Sequence, residues 1–175
     1  CDLRGSAITS FLLTRNRIVC AHRDETVHRV IELGRLTNIE PWPSPTLWIS
    51  DADRKVAKSL MPYDGAVLAI GPTANWGGKQ WPPDRFAALA LQVTAADGFL
   101  PGARIAVLGA ASERSMAQPL LREIPSERLI DLIGQKLSIA AACIEHANLY
   151  VGNDSGLMHV AAAAGTLTLG LFGPS

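Results

Sequence analysis

From residue 65 onward, short continuous apolar runs alternate with longer segments whose apolar residues recur at helical spacing. Such a run is typical of a strand buried on both faces of a parallel sheet, and the helical spacing is typical of a helix that covers the sheet. The pattern predicts five strands, at 65–71, 104–109, 128–132, 148–152 and 166–173. It predicts four helices between them, at 82–97, 112–124, 138–147 and 155–165, the second kinked or split at Pro119.

This alternation predicts a Rossmann-like α/β domain over residues 62–175, a parallel sheet with helices on both faces. Ligands of such sheets bind beyond the carboxyl ends of the strands, where the loops into the helices gather. Four loops therefore hold the candidate site residues, at 71–82, 109–113, 132–138 and 152–156.

The chain has a different character before this domain. Residues 37–48, TNIEPWPSPTLW, contain three prolines within five positions. Each proline removes a backbone donor and restricts the residue before it, so we interpret this stretch as a linker. Residues 1–36 suggest a strand remnant and helical pieces that form no core alone. The chain begins at Cys1 rather than Met and stops directly after a predicted strand, so we expect both ends to be cuts.

Charge and cysteine content narrow the function class. The chain has 16 basic and 16 acidic residues without a long block of either sign, which argues against nucleic-acid partners and a polybasic membrane anchor. Cys1, Cys20 and Cys143 form no CxxC pair, so we predict no disulfide framework, no zinc site and a reducing compartment. No apolar stretch reaches the ~18 residues of a membrane span, and the N-terminus lacks a signal-peptide layout, so we expect a soluble protein.

The last of the four loops, GNDSG (152–156), leaves two interpretations open. In the first, the unpaired N–H groups of the following helix bind an anion such as phosphate, Gly156 allows close approach, and His159 faces the same ligand. In the second, Asp154 or Ser155 simply caps the helix, worth about 1 kcal/mol, and His159 packs on an apolar helix. The loop is not the G-x-S-x-G of a nucleophile elbow, which disfavours a catalytic serine.

The loop after the first predicted strand, GPTANWGGKQWPP, is long for a strand-to-helix connection. It offers glycines for close backbone approach, polar side chains at Thr73 and Asn75, and one cation, Lys79. A cation opposite a helix N-terminus suits a diphosphate, whose charge Lys79 would help to neutralise. The alternative is a solvated lysine beside a packed Trp81, and the position of the loop at the predicted ligand edge favours the first interpretation.

The two middle loops carry weaker candidates. Glu113, just beyond the strand end VLGAAS, either accepts hydrogen bonds from ribose hydroxyls or is a first-turn glutamate behind a Ser112 cap. Leu137, in IGQKLS, either closes over a base or belongs to a turn with Ser138 as the N-cap. Neither G-x-G-x-x-G nor the P-loop pattern occurs, so neither of those phosphate motifs is supported.

Two stretches resemble the nucleotide-sugar-binding half of the bacterial lipopolysaccharide heptosyltransferase family, glycosyltransferase family 9. They are KQWPPDRFAALA (79–90) and LYVGNDSGLMHVAAAAGTLTLGLFGPS (149–175). The K-x-W-P loop, the D-[ST]-G-x-x-H turn and the later F-G-P occur in the family's order. The resemblance implies part of a GT-B fold, with 1–36 as the tail of the N-terminal, acceptor-side domain, 37–61 as an interdomain linker and helix, and 62–175 as the donor-binding domain.

The resemblance also implies a set of donor-binding residues. The donor diphosphate would lie against Asp154, Ser155 and Gly156, with His159 close by and Lys79 as its cation. The remaining predicted donor-binding residues are Thr73 and Asn75 in the first loop, Glu113 at the ribose and Leu137 near the base.

The activity implied is inverting transfer of a heptose-like sugar from a nucleotide diphosphate sugar, such as ADP-heptose, to a lipid-linked glycan of the lipopolysaccharide type, without a metal cofactor. The family's general base is an aspartate early in the first domain. Asp2 is not its equivalent, so we expect no catalytic residue in this chain. The family's final helices after F-G-P are missing too, so we expect an internal piece of a protein about twice as long. The expected location is the cytoplasm, including the inner face of the inner membrane.

Two other functions stay open at this level. One is a nucleotide-sugar-binding piece without turnover, and the other is a different GT-B enzyme such as a nucleotide-sugar epimerase. Binding of a nucleotide sugar without product would indicate the first. Release of free sugar or an epimer in the absence of an acceptor would indicate the second.

Overall fold

A five-stranded parallel sheet forms the centre of the structure, a computed structural model that describes residues 45–61 and 64–173. The strand order is β3-β2-β1-β4-β5, and every neighbouring pair is parallel. In chain order the elements are α1 (Asp51–Leu60), β1 (Val67–Gly71), α2 (Pro83–Val93), β2 (Arg104–Val107), α3 (Arg114–Glu123), β3 (Leu129–Asp131), α4 (Leu137–Glu145), β4 (Leu149–Asn153), α5 (Gly156–Ala163) and β5 (Thr168–Leu171), with 3-10 turns at Gly77–Lys79 and Ala111–Glu113.

The predicted fold class, a Rossmann-like parallel α/β sheet, is confirmed. Helices cover both faces of the sheet. Successive residues of a strand point to opposite faces, and here the residues on both faces are buried. In β1, Val67 and Ala69 pack in one buried cluster and Leu68 and Ile70 in the other. Helices α1, α4 and α5 contribute to the first cluster, and α2 and α3 contribute to the second.

Two helices differ from their predicted form. Helix α2 ends at Val93 instead of continuing to residue 97, because the Leu100 N–H turns back to donate to the Val93 carbonyl at 2.8 Å. Helix α3 runs unbroken through Pro119, so the predicted split is wrong. Proline there removes one intrahelical donor. The carbonyl left without that donor belongs to Ser115, which is exposed, and water can take the place of the missing N–H.

Helix α1 packs against α4 in the same core as the sheet. Its only fully enclosed side chain, Ala57, lies among the alanines of α4. Arg54 fixes the pair by donating to both carboxylate oxygens of Glu145, at 2.8 and 3.1 Å. These hydrogen bonds hold the pKa of Glu145 below its usual value. The residues from Thr46 onward form one compact unit, so α1, within the predicted 37–61 segment, belongs to the sheet's own unit.

Several sequence predictions concern residues outside the described ranges. The predicted domain tail at 1–36, the linker residues up to 44, and Cys1 and Cys20 all lie there. The assignment of 1–36, 37–61 and 62–175 to two domains therefore stays a prediction. Among residues 45–61 and 64–173, no helix combines the length and the apolar character needed to cross a membrane.

Cys143 is expected to resist alkylation in the folded chain. It is buried in the core, and burial raises the pKa of its thiol to about 11, so little thiolate exists at neutral pH. We expect iodoacetamide at pH 7.5 to leave Cys143 unmodified for hours in buffer and to label it within minutes in 6–8 M urea, as measured by peptide mass spectrometry. Equal labelling rates in the two conditions would contradict this burial.

Candidate functional site

The sheet reverses its winding between β1 and β4, and this point lies at the centre of the candidate site. β1 has β2 on one side and β4 on the other, and Gly71 at the end of β1 is in register with Gly152 near the end of β4. The chain leaves these neighbouring strands toward opposite faces of the sheet, which opens a crevice at their carboxyl ends. The predicted ligand loops 71–82 and 152–156 therefore lie side by side.

A cavity of about 310 Å³ lies in this region, within the size range of small-molecule sites. Loops after β1 and β2 form one wall, and the first turns of α4 and α5 form the other. Its lining is mostly apolar, with a few polar groups. Five of the nine predicted donor-binding residues line it: Thr73, Glu113, Leu137, Ser155 and Gly156.

Two hydrogen bonds orient the Glu113 carboxylate at the cavity wall. Oε2 accepts from the Thr73 hydroxyl at 2.8 Å and from the Ala110 N–H at 2.8 Å. Oε1 accepts no hydrogen bond from the described part of the chain. Ser112 lies inside the 3-10 turn and no side chain caps α3, so the predicted Ser112 cap is wrong. Glu113 itself pairs with the backbone at the start of the turn and keeps one oxygen for a ligand hydroxyl.

Helix α5 begins at the cavity without a side-chain cap. Ser155 is at the N-cap position with extended backbone, but its hydroxyl makes no capping hydrogen bond. The Asp154 carboxylate bonds elsewhere, so the capping interpretation is wrong for both residues. Within the described ranges, the N–H groups of Gly156 and Leu157 have no acceptor. They leave the positive end of the helix dipole available to an anion at the cavity.

Tyr150 lies beneath this helix end. Its ring crosses the ends of β1 and β4, in space that a Cβ at Gly71 or Gly152 would occupy. Its hydroxyl and the Ser155 hydroxyl are both buried, and neither makes a hydrogen bond of normal geometry within the described residues. The two groups are near enough to interact, and Ser155 opposes the effect of burial on the Tyr150 pKa. Burial raises the pKa of Tyr150, so its hydroxyl stays protonated. Tyr150 and the two glycines thus pack together at the ends of β1 and β4 without adding charge.

Lys79 reaches the same helix end and is paired there. Its ammonium group donates to Oδ2 of Asp154, directly before the helix. His159 Nε2 lies 3.9 Å from the other Asp154 oxygen. The cation and the α5 N-terminus therefore meet at one edge of the sheet, as the sequence predicted. The pairing with Asp154 was not predicted, and it means that a bound anion would share Lys79 with a carboxylate.

Two predicted residues are exposed to solvent, one in the loop after β1 and one at the cavity mouth. Asn75 is exposed in the loop after β1, and its side chain makes no hydrogen bond with the described part of the chain. Leu137 is 62% exposed at the cavity mouth and is the first residue of α4, so the predicted Ser138 cap is wrong. Lys136 has the N-cap position instead. An exposed leucine at a cavity mouth is suited to covering a flat apolar ligand group.

Asn153 is a residue whose role sequence reasoning missed. It is fully buried at the end of β4. Its amide nitrogen donates to the Pro72 carbonyl at 2.8 Å, and its amide oxygen accepts from the Trp81 N–H at 3.0 Å. The two bonds close both ends of the loop that carries Lys79. An asparagine ending an otherwise apolar run was the available signal, because a buried polar side chain needs partners.

The wall opposite α5 is held by a second set of contacts. Gly134 has φ +88°, a conformation that favours glycine, and its N–H donates to the Gly109 carbonyl at 2.9 Å. Arg114, beside Glu113, donates to both oxygens of Asp131 at 2.7 and 3.1 Å. These hydrogen bonds raise the pKa of Arg114. Together they join the loops on either side of the cavity. No group of three or more metal-binding side chains occurs among the described residues.

Comparisons with known proteins all point to one family. The model of glycosyltransferase family 9 (heptosyltransferase) matches residues 3–175. Lipopolysaccharide heptosyltransferase 2 of Salmonella typhimurium is 32% identical over 144 residues, 76% of this chain and 40% of that protein. Lipooligosaccharide heptosyltransferase 2 of Haemophilus influenzae is 30% identical over 187 aligned positions, 99% of this chain and 50% of that protein.

A solved structure agrees with these relatives. The structure of ADP-heptose LPS heptosyltransferase II from Escherichia coli has a TM-score of 0.67 and 26% identity, over 80% of this chain and 43% of that one. The chain therefore spans about half the length, or less, of the proteins it matches.

Proposed function

Because the chain belongs to glycosyltransferase family 9, the heptosyltransferase family, we propose that it supplies the donor-binding half of an enzyme that transfers a heptose-like sugar from a nucleotide diphosphate sugar. The observation that supports this most is the meeting of three features at one sheet edge. These are the uncapped N-terminus of α5, the Lys79 ammonium group and a cavity of nucleoside size.

In this proposal the nucleoside occupies the cavity. Glu113 accepts a hydrogen bond from a ribose hydroxyl through its unpaired oxygen, and Thr73 keeps the carboxylate oriented. Leu137 covers the base at the cavity mouth. We propose ADP-heptose as the donor, because the solved relative from Escherichia coli is described as acting on that compound.

The diphosphate is proposed to lie at the start of α5. Gly156 and Leu157 would donate from the backbone, and the buried Ser155 hydroxyl would have to turn toward the cavity to join them. Lys79 would neutralise part of the charge. An ionised carboxylate cannot donate to phosphate, so Asp154 would act by holding Lys79, with His159 beside it. Asn75 would contact the donor from the exposed side of its loop.

The proposed chemistry is displacement at the anomeric carbon. An acceptor hydroxyl oxygen attacks that carbon with inversion while its bond to the diphosphate oxygen breaks, and ADP leaves with the bonding electrons. The hydroxyl proton passes to a general base, for which we assign no residue in this chain. Helix amides and Lys79 stabilise the negative charge that grows on the departing diphosphate. They supply positive charge without a metal ion.

The rest of the proposal concerns the whole enzyme. We propose a lipid-linked glycan of the lipopolysaccharide type as the acceptor, and action at the inner face of the bacterial inner membrane. The named activity of the Salmonella and Haemophilus relatives supports this assignment. Acceptor recognition is assigned to the other half of the enzyme.

Isothermal titration calorimetry of the full chain tests donor binding. We expect ADP to bind about tenfold or more tightly than AMP, because only ADP presents a β-phosphate to the helix end and Lys79. Replacing Mg²⁺ by EDTA is expected to leave the ADP affinity unchanged. Equal affinities for ADP, AMP and adenosine would overturn the diphosphate assignment, and loss of binding in EDTA would overturn the metal-free one.

A further inference from the structure

The end of β5 touches the turn that carries Lys79. Gly173, two residues after the strand, lies against the backbone of Gly78. A Cβ added to Gly173 would overlap the Gly78 carbonyl oxygen and would come within 3.3 Å of the Lys79 Cα. Only a residue without a side chain fits there while the turn keeps its position.

The turn is enclosed from a second side by Trp76. A Cβ added to Gly78 would lie 2.7 Å from the Trp76 ring. Within the turn, the Lys79 N–H donates to the Trp76 carbonyl at 3.0 Å. The turn at Gly77–Lys79 is therefore held between an indole ring and the Gly173 backbone, and this fixes where the Lys79 side chain begins.

Asp154, the partner of Lys79, is hydrogen-bonded to the same strand. The Asp154 N–H donates to the Leu171 carbonyl at 3.0 Å. β5 thus contacts Asp154 through Leu171 and the Lys79 turn through Gly173. Both members of the ion pair at the start of α5 therefore lie next to one strand end, although they are 75 residues apart in sequence.

We propose that Gly173 is a positioning residue, which together with the Trp76 ring fixes the Lys79 ammonium group against Asp154 and the α5 N-terminus. The role in donor binding rests on the proposed function, whereas the positioning of Lys79 does not. Gly173 touches no ligand in this proposal and acts only through the turn. Its replacement should change the properties of Lys79 in the absence of any nucleotide.

Gly173→Ala tests this proposal, with Gly77→Ala as the matched control. Gly77 belongs to the same turn, but a Cβ there meets nothing within 4 Å. The first readout is acetylation of Lys79 by an N-hydroxysuccinimide ester, followed by peptide mass spectrometry on the full chain. We expect G173A to speed Lys79 acetylation several-fold and G77A to leave it within about twofold of the parent. An unchanged rate in G173A would overturn the positioning role.

The second readout links the position of Lys79 to the nucleotide. We expect G173A to raise the ADP dissociation constant about tenfold and to have no further effect in a Lys79→Ala background. An equal loss in both backgrounds would show that Gly173 does not act through Lys79. If the parent chain binds no ADP, the proposed function fails, and the acetylation rates still decide the inference.

Trp76→Ala keeps the proposal falsifiable if G173A does not fold. Trp76 is 54% exposed, so its truncation is expected to leave the fold intact, as circular dichroism would check. Removing the ring opens the other side of the turn, and Lys79 acetylation should rise several-fold as in G173A. Unchanged acetylation in a folded W76A would contradict the enclosure of the turn.

Discussion

Replacing Lys79 by alanine is expected to raise the ADP dissociation constant by about 30-fold to 100-fold. A charge-assisted hydrogen bond to phosphate contributes about 1.5–3 kcal/mol, or roughly tenfold to 100-fold in affinity. The structure places the loss near the upper end, because Lys79 also neutralises Asp154. Without the lysine, the Asp154 carboxylate would repel a diphosphate at the start of α5. Calorimetric titration of ADP into K79A measures the change.

The ion pair between Lys79 and Asp154 predicts that a second substitution will restore part of the lost ADP affinity. Loss of a cation alone would not predict such a recovery. Removing Asp154 in the K79A background should relieve the repulsion, so K79A/D154A should bind ADP more tightly than K79A and less tightly than the parent. The difference between the two variants should shrink at 0.5 M salt, where exposed charges are screened. A double variant that binds more weakly than K79A would show that Asp154 contributes to ADP binding independently of Lys79.

Lys58→Ala is the control for net charge. It removes the same single positive charge, but Lys58 lines a separate cavity with Val67 and Asn148, at the amino ends of β1 and β4. Its distance from the α5 N-terminus predicts an ADP affinity within about twofold of the parent. A loss in K58A as large as that in K79A would indicate that overall charge, and not the position of Lys79, controls binding.

The sheet was predictable because its strands carry their own signal. β1 and β4 are buried along their whole length. A strand buried on both faces is typically a short apolar run with polar or glycine residues at its borders. The edge at which ligands bind followed from parallel connectivity alone. Helix α1 was harder to assign, since its sequence DADRKVAKSL is mostly polar and only Ala57 is buried. A single alanine does not distinguish a linker helix from part of a core.

The site residues were predictable as types and less so in their contacts. Lys79, Asp154 and Ser155 were placed at one edge by the order of strands and loops. The pairing of Lys79 with Asp154 depends on the exact path of a loop, which local sequence does not record. Ser155 at an N-cap position predicts capping, yet its hydroxyl lies buried without a cap bond, near the Tyr150 hydroxyl. At this position the tertiary environment at Tyr150, and not the capping propensity of serine, decides where the hydroxyl lies.

Asn153→Ala is expected to lower the free energy of unfolding by about 2–4 kcal/mol and to weaken ADP binding at least tenfold. The substitution leaves the Pro72 carbonyl and the Trp81 N–H without their partner, and each unpaired buried group costs about 1–3 kcal/mol. Freed at both ends, the loop that carries Thr73 and Lys79 would no longer hold them at the cavity. Urea denaturation and calorimetry with ADP measure the two effects on one preparation.

Asn148→Ala separates loop positioning from general loss of stability. Asn148 directly precedes β4, the strand that Asn153 ends. Its side-chain oxygen accepts from the Val67 N–H at 2.9 Å, at the opposite edge of the sheet. Its loss leaves one N–H unpaired instead of two groups, at a bond that is only partly buried, so it should cost about 1–2 kcal/mol and leave ADP affinity unchanged. The ratio of the two effects is then the informative quantity. If N148A and N153A reduce ADP affinity in proportion to their loss of stability, Asn153 acts through the fold as a whole, whereas an affinity loss confined to N153A assigns it to the Lys79 loop.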